Sequence, residues 1–158
     1  MGRGDEVYYK KFDNMGNALT QLIQISASLP EWEPLDVKIV ADSSDTAHIL
    51  WMEKNITRSQ NRVTRIKYSA VNNKGNIIVD NLRLDVGMNM SDNIAIAIDR
   101  DNNVLFSWDS NFNGGNVYLS KRSSNGVFIL DRMPISKNSL GGNVALNIDP
   151  LNHINILG

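Results

Sequence analysis

Apolar and polar positions alternate along this chain in a pattern that is written three times. Asp42–Trp51 reads DSSDTAHILW, Asp99–Trp108 reads DRDNNVLFSW and Asp149–Gly158 reads DPLNHINILG. Each copy opens on Asp, passes through a short polar turn, and continues as an alternating apolar stretch that ends on Trp in the first two. Ahead of each lies a short run rich in β-branched residues: Val37–Asp42, Ile94–Asp99 and Val144–Asp149. Nearly continuous apolar character over so few residues predicts a strand covered on both faces, here strand a. Strand b follows the turn, with Ala47, Ile49 and Trp51 on one face and Val104, Phe106 and Trp108 as counterparts.

A second anchor is a strand, a turn and a glycine: Val7–Gly16, Ile66–Gly75 and Val117–Gly126. This is strand c. Strand d covers Ala18–Ile25, Ile77–Leu84 and Phe128–Ile135. Taken alone, ALTQLIQI has Leu19, Leu22 and Ile23 at helical spacing. The late positions of all three copies alternate, however, and Pro134 sits in the third, which predicts a half-exposed edge strand. The Gly anchors are 59 and 51 residues apart and the Asp anchors 57 and 50, so one insertion, shared by both first intervals, explains why each is the longer. It falls in the polar stretch Lys54–Thr64, predicted as a protruding b–c loop.

Four antiparallel strands per repeat of this length describe the blade of a β-propeller, and the fold class expected is all-β. The pattern D-x-x-x-x-V-x-I-x-W, followed by a YYKK-type strand and a Gly-Asn turn, resembles prokaryotic, often extracellular, β-propeller repeats of the AVDSNGNVHIVW / IYYKKLDSNGN type. The likeness covers nearly the whole chain. It is strongest at Ala41, Asp42, Ser43, His48, Ile49 and Trp51, and at Tyr8, Tyr9, Lys10, Lys11 and Asp13. The third copy departs, with Asn147 at an apolar position and Gly158 in place of Trp. The resemblance implies a secreted or cell-surface setting and carries no catalytic residues to transfer.

The phase of the repeat sets the expected domain plan. Residues 6–26 supply strands c and d of one blade, 37–85 and 94–136 two full blades, and 144–158 strands a and b of another. That is three blades in all, whereas propellers use about four to eight. A homo-oligomer follows as one expectation: a two-fold dimer in which the terminal half blades complete each other, giving a closed ring of six. The other is a segment of a longer repeat array.

Composition adds limits. The chain is 42% hydrophobic and 21% charged, ordinary values for a globular domain. A formal charge of −1 gives no electrostatic reason to expect nucleic acid as a partner. The absence of cysteine excludes disulfides and thiolate metal sites. No apolar run approaches a membrane span, so no membrane insertion is expected, and MGRGDEVYYK has no signal-peptide core.

Candidate chemistry is sparse. Asp99, Asp101 and Asn103 alternate like the start of a calcium loop, but no bidentate Glu follows, and an Asx-stabilised turn is the better reading. Arg3-Gly4-Asp5 aligns with a b–c turn, and Asn55-Ile56-Thr57 and Asn89-Met90-Ser91 are formal glycosylation sequons in expected loops. His48 and His153 occupy different repeat positions, so no paired metal site follows. The sialidase-type Asp-box is rejected because the turn lacks its Gly. Trp51 and Trp108 recur in register and are expected in the core between blades.

The d–a loops (27–36, 85–93, 136–143) and b–c loops (54–64, 109–116) share one face in this plan. Trp32, Glu33, Asp109, Asn111 and Phe112 on that face are the candidate ligand-binding residues, and no catalytic residue, metal or cofactor is expected. Trp32 in the d–a segment is either a lid packed on its own sheet or a contact residue. Three functions follow in order: a non-catalytic interaction or adhesion module, a lectin-like glycan binder, and a hydrolase or lyase on the same scaffold. The last needs convergent carboxylates that the sequence does not supply.

Overall fold

The computed structural model describes residues 6–58, 63–88, 90–110, 115–136 and 143–158. Their regular structure is all strand, so no helix among them is long and apolar enough to cross a membrane. In chain order the strands are β1 (Tyr8–Tyr9), β2 (Ile23–Gln24), β3 (Trp32–Ala41), β4 (Ala47–Asn55), β5 (Thr64–Val71), β6 (Ile77–Arg83), β7 (Ser91–Ile98), β8 (Val104–Ser110), β9 (Asn116–Arg122), β10 (Phe128–Pro134), β11 (Ala145–Ile148) and β12 (Ile154–Leu157).

Two four-stranded antiparallel sheets, β3-β4-β5-β6 and β7-β8-β9-β10, are flanked by the two-stranded sheets β1-β2 and β11-β12. The described strands close no barrel or ring. Residues 18–25 form no helix; Ile23–Gln24 pair with Tyr8–Tyr9, and Phe12 bridges Ala18.

Short polar side chains shape the connections. Asp42, Asp99 and Asp149 each accept with Oδ1 from the backbone N–H groups two and four residues on, at 2.8–2.9 Å. These are Asx turns, and they place Asp45, Asn102 and Asn152 at φ of 63°, 60° and 68°. The c–d turns instead put Gly16, Gly75 and Gly126 at φ of 87°, 82° and 86°, a region costly for any residue with a Cβ.

The period-two pattern divides each four-stranded sheet into two buried faces. Ala47, Ile49, Trp51 and Val71 pack with Val7 and Ile25, against the β1-β2 sheet. Leu50, Met52, Ile66 and Tyr68, from the opposite face, pack with Ile94, Val104, Phe106, Trp108 and Tyr118 of the next sheet. Trp51 and Trp108 are therefore equivalent, each sealed between adjacent sheets at 0% and 1% exposure. The third copy keeps the plan with a different filler. Gly158 lies so close to Val117 that an added Cβ would stand 2.9 Å from Cγ2.

Polar bonds stitch one sheet to the next at matching places. Asn102 Oδ1 accepts from Ser43 N at 3.1 Å, and Asn152 Oδ1 from Arg100 N at 3.0 Å. Asn81 donates to Ile25 O at 2.9 Å, and its counterpart Arg132 donates to Val86 O. The first strands are in contact as well, β3 against β7 and β7 against β11.

Several boundaries differ from the sequence reading: the first strand d is only Ile23–Gln24 within 18–25, and β7 begins at Ser91, inside the expected d–a loop 85–93. β3 begins at Trp32, so Trp32 and Glu33 belong to a strand and not to a d–a loop. Pro34 is accommodated because β3 is an edge strand and the register shifts between Pro34 and Asp36. Lys54, Asn55 and Thr64 likewise extend the β4–β5 ladder, since part of the insertion goes into longer strands. Asp109 lies inside β8 and is not the start of a loop.

Candidate functional site

Trp32, at the start of β3, pairs with Asn55 at the end of β4, and Glu33 faces Lys54, with a 3.0 Å ion pair between them. Trp32 is half-buried because the Arg65 guanidinium lies over its ring, 3.8 Å from the centroid. Arg65 comes from β5, one strand beyond β4. Its Nε donates to Glu53 Oε2 at 2.6 Å, and Glu53 Oε1 accepts from Trp51 Nε1 at 2.7 Å. A chain of contacts thus runs from the core indole to the surface indole. Glu53 is buried, and its charge is met by Arg65 and by one charge-assisted N–H bond.

Beside this chain lies a cleft of about 240 Å³ lined by Trp32, Asn55, Arg58, Val63 and Arg83. Arg83 is anchored, donating from Nε to Asp85 at 2.9 Å and from Nη2 to Met88 O at 2.8 Å. Arg58 is exposed. An aromatic ring beside guanidinium groups can hold a flat or carboxylate-bearing ligand through stacking and paired N–H bonds. The described part of the second sheet has no such chain: Ser110, Asn116 and Pro134 stand where the first has Glu53, Arg65 and Arg83.

The remaining candidates do not join this cluster. Asp109 is buried in the other sheet, where its Oδ2 accepts from Asn93 Nδ2 at 3.0 Å. Asn111 and Phe112 lie outside the described residues, as do Arg3-Gly4-Asp5 and Asn89 of the second sequon. Asn55 of the first sequon is a β4 residue whose Oδ1 accepts from Thr57 N and Oγ1 at 3.0 and 2.7 Å. The Asp99 carboxylate is filled by Asp101 N, Asn103 N, Asn103 Nδ2 and Lys121 Nζ, which leaves it a turn and not an ion site.

Sequence reasoning missed one polar cluster entirely. His48, wholly buried on β4, stands between Asp42 and Tyr68: Nε2 is 3.2 Å from Asp42 Oδ2 and Nδ1 is 2.8 Å from Tyr68 Oη. The neutral ring satisfies both if Nε2–H donates to the carboxylate and Nδ1 accepts from the phenol. Burial holds the His48 pKa below its ordinary value, against the opposing pull of Asp42. Burial pushes Asp42 up, but the N–H of Thr46, the His48 ring and the N–H of Ser44 outweigh it and hold it below the usual carboxylate range. Tyr68 is pushed up by burial. The trio has the order of a catalytic relay, yet all of it is sealed in the core, so no substrate atom reaches it.

Its consequence is on stability. Unfolded His protonates below about pH 6.5 while the buried ring stays neutral, so the unfolded state binds more protons as pH falls. Stability is full above that pH and declines below it, with a further loss once acid reaches Asp42. The urea midpoint should therefore drop between pH 7 and pH 5. His48→Leu, which copies Leu105, should flatten that slope, and an unchanged slope would sink the assignment.

Comparison with known proteins returned no matching family model, no matching curated protein and no matching solved structure.

Proposed function

We propose that the chain is a non-catalytic β-propeller module for protein–protein contact or surface adhesion, with its ring of blades completed by a second chain. The observation that carries this reading is the nesting of the sheets. β3 lies on β7 and β7 on β11, so the first strands succeed one another as the inner strands of adjacent blades do. Ile94 of β7 is covered and only 3% exposed, whereas its β3 counterpart Val37 is 47% exposed and Ile39 is 57% exposed. A β11 from a second copy would cover β3 in the way that β7 is covered, and two chains of three blades then make a ring of six. The groups best suited to acid–base chemistry, Asp42, His48, Tyr68 and Glu53, are consumed in packing, which favours a scaffold over an enzyme.

The Trp32 cleft favours a second reading, a lectin-like binder of acidic glycans. Arg58 and Arg83 line the cleft and suit a uronic or sialic acid carboxylate, and the Trp32 indole suits packing against a sugar ring. Screening the purified chain on a glycan array, with each glycan checked afterwards for cleavage, tests both. Capture of acidic glycans that Trp32→Ala abolishes would support the second reading. Absence of capture would leave the protein-contact module, and cleavage of any glycan would contradict a non-catalytic role.

A further inference from the structure

We propose that β12 of one chain pairs antiparallel with β1 of a second copy in a single register: Ile154 opposite Phe12, Asn155 opposite Lys11, Ile156 opposite Lys10 and Leu157 opposite Tyr9. This rests on the ring reading and specifies its junction.

Two sheets supply the register independently. In the first, Ala47 faces Val71, His48 faces Ala70, Ile49 faces Ser69 and Leu50 faces Tyr68. In the second, Val104 faces Arg122, Leu105 faces Lys121, Phe106 faces Ser120 and Ser107 faces Leu119. Counted from the Asp that opens each a–b turn and the Gly that ends each c–d turn, both ladders transfer to the same four pairs. Agreement matters because a slip of one residue would turn every side chain of β12 to the wrong face.

Side chains at the two edges match. Leu157 is the counterpart of Leu50, which is 1% exposed in the core between the two large sheets, yet Leu157 is 73% exposed. In the proposed register it enters the cluster of Val7, Ile25, Ile49 and Trp51, on a side where the described residues of its own chain supply no strand b. The charges match too. Lys121 Nζ lies 2.7 Å from Asp99 Oδ2 across the β8–β9 pair. The corresponding groups at the junction are Lys11 and Asp149, which sit on the first and last sheets of the chain.

Pro150 gives Lys11 a particular task. At the two internal seams, Asn102 and Asn152 accept from the N–H of Ser43 and Arg100. The junction replaces that pair with Asp45 and Pro150, and proline has no N–H to donate. Lys11 already bonds Asp45 within its own chain. With Asp149 of the second copy beside it, one ammonium bridges two carboxylates across the seam and takes over from the missing backbone bond.

Cysteine cross-linking tests the register, since the chain has no cysteine of its own. Residues directly opposite in an antiparallel pair have Cα atoms about 4.5–5.5 Å apart, within disulfide reach. Ile156→Cys combined with Lys10→Cys should give, on mild oxidation, a covalent dimer of twice 17.6 kDa that reductant dissolves. Ile156→Cys with Phe12→Cys, slipped by two residues, should give about a tenth of that yield or less. In a parallel measurement, Asp149→Asn keeps the turn bonds to Oδ1 and should weaken the dimer about tenfold, the worth of one charge-assisted bond. A dimer by light scattering that cross-links better in the slipped pair would overturn the register while leaving the ring. A monomer, or a disulfide confined within one chain, would overturn both.

Discussion

Replacing Trp51 with Ala is expected to cost about 3–5 kcal/mol, and replacing Trp108 about the same. Both indoles are sealed between adjacent sheets, so truncation opens a cavity that the flanking strands cannot collapse without losing their ladders. The two sites still differ in one respect. Trp51 Nε1 donates to Glu53, whereas Trp108 Nε1 has no hydrogen-bond partner among the described residues. Trp51→Ala therefore also strands the Glu53 acceptor, and Trp108→Ala relieves a buried donor, which places Trp51→Ala at the upper end of the range. Denaturant titration checks this. Losses below about 1 kcal/mol at either site would contradict equivalent core positions.

Deletion of residues 144–158 is expected to have a larger effect than any point substitution. The β11-β12 hairpin covers β7 and β8 on the side away from the first large sheet, and Gly158 sits against Val117. Its removal uncovers Leu105, Val117 and Leu119, all within 3% of full burial. In the ring reading it also removes the strands that complete the partner's β1-β2 sheet and cover Val37 and Ile39. The truncated chain should be insoluble or largely unfolded by circular dichroism. A well-folded, soluble truncation would show that neither role matters.

The repeat made much of this legible. Asp and Gly marked every described a–b and c–d turn because an Asx side chain bonds the turn N–H groups of the first and a missing Cβ suits the positive φ of the second. Period two located the buried faces, and register between copies placed Trp51 and Trp108 correctly. Trp32 was misread because EWEPLD has the polarity and proline of a loop, while the edge position and bulge that tolerate Pro34 appear only with the pairing. Asp109 looked like a loop start because it is charged, while its burial in β8 is met in part by Asn93 at the β7 register shift, which appears only with the pairing. The candidate site was legible only in part. Trp32 could be singled out as unrepeated, but Arg65 and Arg83 meet it through cross-strand neighbours that spacing along one chain does not reveal. His48 was taken as an ordinary strand residue; its Asp42 and Tyr68 partners lie one turn and one strand away.

The central proposal is that these nested sheets close into a ring when two chains meet, and the solution mass of the purified 158-residue chain tests it most directly. Light scattering should return twice 17.6 kDa, persisting on dilution into the micromolar range. A stable, soluble species of 17.6 kDa under the same conditions would contradict it.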